Sequence, residues 1–360
     1  MTIGIDGRLW NESGVGRYIR NLVHGIDGQN TEDEFVIFLT KETFNKIEFR
    51  NPKIKKVVSD AHWHTLSEQW KFKGEIERAN VDLMHFTYFS YPVFYKRPFV
   101  ITIHDLILDH FPTGVASSRP KPIFKLKHFG YKKITSQAIK NAKKIIVPSN
   151  ATKDEITKHY NATTEKIEVI YEGFDQSITK GKGTNLISNN YILYVGNAYP
   201  HKNLQILLEA FSKIRKDQKI DLVCIGRNDF FYKRIKNNQP GVHFLHDIDD
   251  YSLFDYYKGA RLFVMPSLME GFGLPVLEAM SLSCPVVCSN TPALKEICQN
   301  AAVYFDPKDP NDLKEKIEKV LSDKELLESL AQKGKKQSEK FSWEECVSKT
   351  LKVYESCNSV

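Results

Sequence analysis

The chain has 360 residues and a formal net charge of +7; 41% of its residues are hydrophobic and 26% are charged. These values are typical of a globular enzyme with two domains of ordinary size. No run of about 18 apolar residues occurs, which argues against a transmembrane helix, and residues 1–10 lack the pattern of a secretory signal. The six cysteines form no CxxC pair, so we interpret them as the reduced thiols of a cytoplasmic protein.

Short apolar runs alternate with helical patterns in the first half of the chain, which predicts a doubly wound parallel sheet. The predicted strands are Thr2–Asp6, Phe35–Leu39, Lys55–Val58, Val81–Phe86, Phe99–His104, Lys144–Pro148 and Ile167–Ile170. A glycine-rich turn at residues 13–17 comes before a helical pattern that begins at Tyr18. Its Gly14 and Gly16 would let a ligand approach the backbone closely. Such a turn is common, and this one lacks the full GxGxxG of a dinucleotide-binding fold.

A His-Asp pair, His104 and Asp105, ends the fifth predicted strand. Open parallel sheets bind their ligands at the carboxyl ends of the strands. A histidine in this place can act as a base or donate a hydrogen bond to a substrate, although an isolated histidine is more often structural. The position favours a functional role for His104.

A basic stretch at residues 119–144 contains nine Lys or Arg residues and no Asp or Glu. Aromatic residues are interleaved with these charges. The pattern is compatible with contact to an anionic membrane surface, with a phosphorylated acceptor, or with an ordinary solvated basic helix. No nucleic-acid-binding motif accompanies the charge, so we do not expect a nucleic-acid partner.

Residues 176–189 are poor in apolar side chains and rich in Gly, Ser, Thr and Asn, which predicts a linker. The alternation of strands and helices then restarts. The later strands are predicted at Tyr191–Val195, Asp221–Ile225, Val242–Leu245, Leu262–Met265 and Pro285–Cys288. Helices are predicted at Leu204–Ile214, Tyr251–Gly259, Leu274–Ser281, Asp309–Leu321, Lys324–Lys340 and Trp343–Tyr354.

Residues 261–290 contain more candidate site residues than any other segment of this length. A buried-strand pattern leads to Glu270 and the glycine turn Gly271-Phe272-Gly273, and a helical pattern with Glu278 follows. The first N–H groups of a helix favour a bound anion. The two carboxylates lie eight positions apart, and the second lies about two helical turns in, on a face that can still point into the same crevice.

The order of these motifs resembles the retaining glycosyltransferases of the GT-B fold, and in particular glycosyltransferase family 4. The segment from Glu270 to Glu278 is similar to the E-x7-E segment of that family in its spacing and internal glycines. The motifs that accompany it are Gly14–Tyr18, His104–Leu106, Val147–Ser149, Tyr194–Gly196, Lys202-Asn203, Val264–Ser267, Pro285–Val287 and Asn300–Pro307. The resemblance covers nearly the whole chain and implies two Rossmann-like domains that face a central cleft. Within the family, the chain resembles bacterial mannosyltransferases that build O-antigen or exopolysaccharide units from GDP-mannose.

The resemblance implies a role for each matching residue. Glu270 would hydrogen-bond the hydroxyls of the donor sugar, and Glu278 would bind the ribose. Lys202 would neutralise charge on the departing diphosphate, and His104 would contact the sugar or orient the acceptor. Gly14 and Gly16 would close over the phosphates. The backbone N–H groups of Phe272, Gly273 and Leu274 would hold the diphosphate. The remaining donor-binding candidates are Gly271 and Ile248, and the backbone of Ile248 would contact the base.

One position departs from the family pattern. Many members have an arginine directly after the glycine that ends the first strand of the second domain, and this chain has Asn197 there. Asparagine donates a hydrogen bond but carries no charge, so Lys202 must supply more of the positive charge. His201, Arg227 and Arg17 are the candidates to assist it.

Other enzyme classes fit the motifs less well. A glycosidase would use the two glutamates as an acid and nucleophile pair, which leaves the glycine turn and Lys202 without a purpose. A dinucleotide-dependent oxidoreductase would need GxGxxG after the first strand. A structural interpretation makes Glu270 a cap and Glu278 a surface residue. The alternatives that stay open are a nucleotide-sugar epimerase on the same fold and a non-catalytic protein that binds nucleotide sugars.

The sequence therefore predicts a metal-independent transferase with no cofactor, since residues 247–249, Asp-Ile-Asp, are better explained as a loop and helix cap than as a metal site. We expect residues 1–175 to form an acceptor-binding domain and residues 190–340 to form the nucleotide-sugar domain. Residues 341–360 would form a helix that returns to the first domain. The expected partners are a nucleotide-sugar donor, with GDP-mannose preferred, and a glycan or lipid-linked glycan acceptor. The expected location is cytoplasmic, with peripheral membrane contact through residues 119–144.

Overall fold

The computed structural model describes residues 1–111, 121–174, 190–217, 219–235 and 239–358. The chain divides into two compact units. The first contains Met1–Asp109, Lys121–Glu172 and Trp343–Val360, and the second contains His110–Pro120 and Gly173–Ser342. Each unit has a parallel sheet flanked by helices, so the predicted fold class, GT-B with two Rossmann-like domains, is confirmed.

The first unit is built on a seven-stranded sheet in the order β3-β2-β1-β4-β5-β6-β7. Its strands are β1 Thr2–Asp6, β2 Glu34–Leu39, β3 Ile54–Val58, β4 Leu83–Phe86, β5 Phe99–Thr102, β6 Lys144–Val147 and β7 Ile167–Val169. All pairings between them are parallel. Several strands are buried along almost their whole length, because parallel sheets are covered on both faces and require nearly continuous apolar runs.

Helices connect these strands, as parallel pairing requires. They are α1 Gly14–Asp27, α2 Lys41–Phe44, α3 Lys73–Ala79, α4 Ile107–His110, α5 Lys121–Asn141 and α6 Asn150–Tyr160, with a π-helical turn at Glu68–Phe72 leading into α3 and a 3₁₀ turn at Thr164–Lys166. The start of α1 corrects one expectation. The residues predicted to form a turn before the helix, including Gly14 and Gly16, lie in its first helical turn.

The second unit is built on a six-stranded sheet in the order β10-β9-β8-β11-β12-β13. Its strands are β8 Tyr191–Val195, β9 Asp221–Ile225, β10 Val242–Leu245, β11 Leu262–Met265, β12 Val286–Ser289 and β13 Ala302–Phe305. Alternate residues of β11 pack on opposite faces. Leu262 and Val264 belong to one apolar cluster, and Phe263 and Met265 belong to the other. The sheet therefore separates two cores, as in a doubly wound fold.

Five of the helices described in the second unit match the prediction within a few residues, whereas Phe230–Ile235 and Pro292–Cys298 have no predicted counterpart. The helices are α7 Leu204–Asp217, α8 Phe230–Ile235, α9 Asp250–Gly259, α10 Leu274–Ser281, α11 Pro292–Cys298, α12 Pro310–Ser322 and α13 Lys324–Ser338, with a 3₁₀ turn at Pro200–Lys202. The last helix, α14 Trp343–Asn358, belongs to the first unit. The predicted linker at residues 176–189 lies outside the described residues. Within the described ranges, no helix is both long enough and apolar enough to cross a bilayer.

A buried polar contact holds α14 against the first sheet. The hydroxyl of Tyr354 lies 2.6 Å from Nδ1 of His85, and Nε2 of His85 lies 2.8 Å from the hydroxyl of Thr102. His85 is completely buried, and this burial lowers its pKa to about 3. The ring is therefore neutral near pH 7, and it needs both hydroxyls because a buried ring nitrogen without a partner costs free energy.

The substitution Tyr354→Phe tests the energetic value of this contact. It removes the hydroxyl and leaves one nitrogen of His85 without its partner, so we expect the free energy of unfolding to fall by about 1–3 kcal/mol. Chemical denaturation monitored by circular dichroism measures the change. Lys352→Ala, at an exposed position of the same helix, is the control and should change stability by less than about 0.5 kcal/mol. Equal stability of both variants would show that the contact contributes nothing.

Candidate functional site

The carboxyl edge of the second sheet collects most of the predicted donor-binding residues. Asn197 follows β8, Arg227 follows β9, Ile248 follows β10 and Glu270 follows β11. Because the strands are parallel, all four positions lie at the same edge of the sheet. This is the edge at which open α/β sheets bind their ligands.

Lys202 and Glu270 form an ion pair at this edge. Nζ of Lys202 donates to both carboxylate oxygens of Glu270, at 2.8 Å to Oε1 and 3.0 Å to Oε2. The side chain of Glu270 is 7% exposed and that of Lys202 is 18% exposed. The structure thus brings together two residues that lie 68 positions apart in the sequence. Both charges are shielded from most of the solvent, and each neutralises the other.

Asn203 positions this ion pair. Its side-chain amide donates to the carbonyl of Pro266, at 3.0 Å, and to the carbonyl of Pro307, at 2.8 Å. The backbone N–H of Leu268 also donates to the carbonyl of His201, at 2.7 Å. These bonds tie the turn that carries Lys202 to the segment that carries Glu270. The geometry of the pair is therefore determined by the backbone on both sides.

His201 cannot supply the positive charge that Asn197 lacks. Burial, together with the neighbouring charge of Lys202, lowers the pKa of His201 to about 4. The imidazole is therefore neutral near pH 7. The backbone carbonyl of Asn197 accepts a hydrogen bond from the Tyr194 hydroxyl, at 2.6 Å, and Arg227 is exposed at the sheet edge. Lys202 is a predicted phosphate partner whose ammonium group is held in place by an ion pair.

The glycine turn ends where α10 begins. Gly273 is the residue before the helix and has φ of +105°, a left-handed conformation that glycine adopts without strain. Pro275 stands in the first turn, where its missing N–H costs nothing. The N–H groups of the first residues of a helix have no acceptor within the helix, so the backbone at Gly273 and Leu274 provides a suitable site for an anion. Phe272 is buried, and its ring packs 5.8 Å from that of Phe341.

Glu278 lies on α10 and is 4% exposed. The hydroxyl of Tyr257, from α9, donates to its Oε2 at 2.9 Å. A carboxylate accepts several hydrogen bonds, so this contact leaves it able to bind a further donor. The burial excludes the alternative in which Glu278 is an ordinary surface residue. The loop at residues 247–249 agrees with the sequence interpretation, because Asp249 caps α9 by accepting a hydrogen bond from the N–H of Ser252.

In the first unit, His104 is held by two acceptors. Its Nδ1 lies 3.1 Å from the carboxylate of Glu172, and its Nε2 lies 3.1 Å from the carbonyl of Thr87. Burial works to lower the pKa of His104, but the hydrogen bond and charge of Glu172 outweigh it and raise that pKa. The geometry suits an imidazolium that donates from both nitrogens.

The glycines of α1 have different surroundings. A side chain at Gly16 would collide with the backbone carbonyls of Leu9 and Trp10, whereas the space at Gly14 is open. The close packing of the loop at residues 9–10 therefore explains the glycine at position 16 without a ligand.

Sequence reasoning missed three partners of the predicted site residues, namely Asn203, Tyr257 and Glu172. Asn203 stood inside a recognised motif but had no role assigned to it. Glu172 follows β7 at the carboxyl edge of the first sheet, so its position after a strand is a signal that could have identified it. No local pattern marks Tyr257, since its contact with Glu278 depends on the packing of two helices.

Comparison with known proteins agrees with this architecture. The model for "Glycosyltransferase Family 4" matches residues 13–177, and the model for "Glycosyl transferases group 1" matches residues 178–337. The O-antigen chain mannosyltransferase B of Escherichia coli is 28% identical over 272 residues, which is 71% of this chain and 69% of that protein. The O-antigen chain mannosyltransferase RfbU of Salmonella typhimurium is also 28% identical, over 72% of this chain and 70% of its own.

A solved structure, that of Anabaena HepE in complex with UDP-glucose, superposes with a TM-score of 0.77 at 16% identity. The alignment covers 99% of this chain and 100% of HepE. At this level of identity the likeness concerns the fold. Since the two family models follow one another along the chain and the fold agrees with them, the protein belongs to the GT-B glycosyltransferases, with a family 4 domain followed by a group 1 domain.

Proposed function

We propose that this glycosyltransferase transfers mannose from GDP-mannose to a glycan or lipid-linked glycan acceptor in the synthesis of a cell-surface polysaccharide. The observation that carries the proposal is the partly buried Lys202–Glu270 pair at the carboxyl edge of the second sheet, where the glycine turn after Glu270 leads into the N-terminus of α10. The names of the two O-antigen relatives favour mannose. We further propose that the anomeric configuration of the sugar is retained.

Lys202 and the N-terminus of α10 supply the electrostatics of the proposed reaction. The bond between the anomeric carbon and the diphosphate oxygen breaks, and its electron pair stays on the diphosphate. The oxygen of the acceptor hydroxyl forms the new bond to the anomeric carbon on the same face, and its proton passes to the departing diphosphate. The N–H groups of Phe272, Gly273 and Leu274 would donate to its oxygens. The ammonium of Lys202, already fixed at the same edge, would share its donors between Glu270 and a phosphate oxygen. Donors fixed before the reaction stabilise such developing charge at little cost in reorganisation.

The two glutamates have separate roles in this proposal. Glu270 accepts hydrogen bonds from hydroxyl groups of the sugar, and its pairing with Lys202 holds it in place. Glu278 uses its remaining acceptor capacity for the ribose hydroxyls while Tyr257 holds its other side. The backbone at Ile248 contacts the base. Of the two glycines of α1, Gly14 has open space beside it and is the candidate for approach to the phosphates.

His104 would contact the sugar or orient the acceptor. Both of its ring nitrogens already face acceptors in the structure. The proposed contact therefore requires a sugar hydroxyl to replace either Glu172 or the carbonyl of Thr87. The proposed partner of the basic residues 119–144, in which α5 lies, is the membrane surface or a phosphorylated part of the acceptor.

The first prediction concerns the ion pair. We expect Glu270→Ala and Lys202→Ala each to reduce mannosyl transfer at least about 100-fold, because each removes a group that acts on the donor. The measurement is incorporation of labelled mannose from GDP-mannose into lipid-linked glycan. Glu209→Ala and Lys213→Ala provide a matched control, since they disrupt an exposed pair with an N···O distance of 3.3 Å in α7. Near-normal transfer by both site variants, with intact thermal unfolding, would contradict the assignment.

The second prediction concerns the donor. A ligand that binds only the folded state raises its apparent stability, so we expect GDP-mannose to raise the melting temperature more than UDP-, ADP- or dTDP-sugars at equal concentration. Glu278→Ala should reduce the shift, because it removes the ribose contact. A shift with a UDP-sugar and none with GDP-mannose would exclude the mannosyl proposal but leave a glycosyltransferase.

The third prediction concerns metal ions. We propose that no metal ion or cofactor is required, because Lys202 and the helix N-terminus supply the positive potential that a cation would otherwise provide. Transfer should therefore continue at an unchanged rate in excess EDTA. A loss of transfer that added Mg²⁺ or Mn²⁺ restores would contradict this proposal.

A further inference from the structure

Three large apolar side chains lie together on the surface of the first unit. Leu66 is 78% exposed, Trp70 is 66% exposed and Phe94 is 52% exposed. The rings of Trp70 and Phe94 stack with their centroids 5.5 Å apart and their planes 25° apart. Leu66 stands one helical turn before Trp70 in the sequence. We call Leu66, Trp70 and Phe94 the aromatic patch.

Contacts beneath the aromatic patch keep its side chains on the surface. Gln69 binds the loop that carries Phe94 through two hydrogen bonds, from its Nε2 to the carbonyl of Tyr91 and from the N–H of Val93 to its Oε1. Glu68 and Phe72, the first and last residues of the π-helical turn that carries Trp70, are fully buried. The orientation of the exposed rings is therefore fixed by contacts beneath them. Single exposed apolar residues are ordinary, but a clustered and rigid group indicates an interaction surface.

Two lysines flank the aromatic patch in the sequence. Lys71 and Lys96 are exposed, and neither pairs with a carboxylate among the residues that the structure describes. Of the nearby acids, Glu68 accepts from Arg8 at 2.8 Å, Glu77 pairs with Lys73 at 2.7 Å and Glu75 is buried. In the described part of the chain, the exposed charges without an ion-pair partner beside the rings are therefore positive.

We propose that the aromatic patch is a docking surface for an anionic phospholipid bilayer. Tryptophan favours the boundary between headgroups and acyl chains, because there its apolar ring contacts the chains while its indole N–H remains in contact with water. Lysines beside it attract acidic headgroups, and each lysine near the surface of an anionic membrane contributes favourable free energy to binding. The patch is a poor fit to a second copy of the chain. A standard protein interface buries about 800 Å² on each partner, whereas three partly exposed side chains of this kind offer well under that area.

This surface is separate from the basic stretch at residues 119–144. Like that stretch it combines apolar side chains with positive charge, but the two surfaces share no residue. The inference does not depend on the identity of the donor or the acceptor. It concerns where the first unit meets a membrane, and it can be tested without turnover.

The test is sedimentation of the full-length protein with two kinds of vesicle, one of phosphatidylcholine alone and one that contains phosphatidylglycerol. We expect binding to the anionic vesicles only. The variant with Leu66→Ser, Trp70→Ser and Phe94→Ser together should bind at least about tenfold more weakly, because it removes the apolar part of the contact. In the wild-type protein, brominated lipids should quench tryptophan fluorescence.

Two matched variants complete the experiment. Phe230→Ser removes an exposed aromatic residue in the second unit and should bind vesicles as the wild type does. Phe129→Ser removes one in the basic stretch and should weaken binding less than the triple variant does. The proposal is overturned if the triple variant binds normally, if wild-type protein ignores anionic vesicles, or if Phe129→Ser alone abolishes binding. It is also overturned if light scattering shows a wild-type dimer that the triple variant dissociates. Intact GDP-mannose binding by the triple variant would separate these outcomes from a failure of the proposed function.

Discussion

Parallel pairing of the strands is the constraint on which both units depend. A parallel sheet needs a crossover after every strand, and its apolar strands must be covered on both faces. The crossovers begin at one edge of each sheet, so residues far apart in the sequence meet there. Lys202 after β8 and Glu270 after β11 meet for this reason, and His104 after β5 meets Glu172 after β7 in the same way. The chemistry of the protein follows from this geometry.

Partly buried charges at these edges are each matched by a partner. Glu270 has Lys202, Glu278 has the Tyr257 hydroxyl, and the Glu172 carboxylate accepts from His104. A buried charge without such a partner is costly, and the cost falls on folding as well as on binding. The same contacts leave each carboxylate able to accept further hydrogen bonds. Stability and readiness for a polar ligand therefore depend on the same side chains.

The first unit shows how polar contacts also determine where a distant segment packs. Helix α14 is last in the sequence, yet it belongs to the first unit and places Tyr354 against His85. Because His85 is neutral and wholly enclosed, its two ring nitrogens need two specific hydroxyl partners. This requirement favours one position for the helix, in addition to its apolar packing. On the surface of the same unit, hydrogen bonds of Gln69 hold the loop that carries Phe94. The apolar rings of Trp70 and Phe94 therefore stay exposed to water, although contact with water is unfavourable for them.

The sequence by itself determined the fold class, nearly all of the strands and the helix Leu274–Ser281, because apolar runs and helical periods are local properties of the chain. It also identified Lys202, Glu270 and Glu278 as candidate site residues. It misplaced the start of α1, since Gly14 and Gly16 favour a turn by composition while packing of the loop at residues 9–10 allows a helix. Only the tertiary structure decided that Lys202 pairs with Glu270, that Asn203 and Tyr257 support the site, and that His201 is neutral. Those facts depend on burial and on contacts between distant segments, which no local pattern contains.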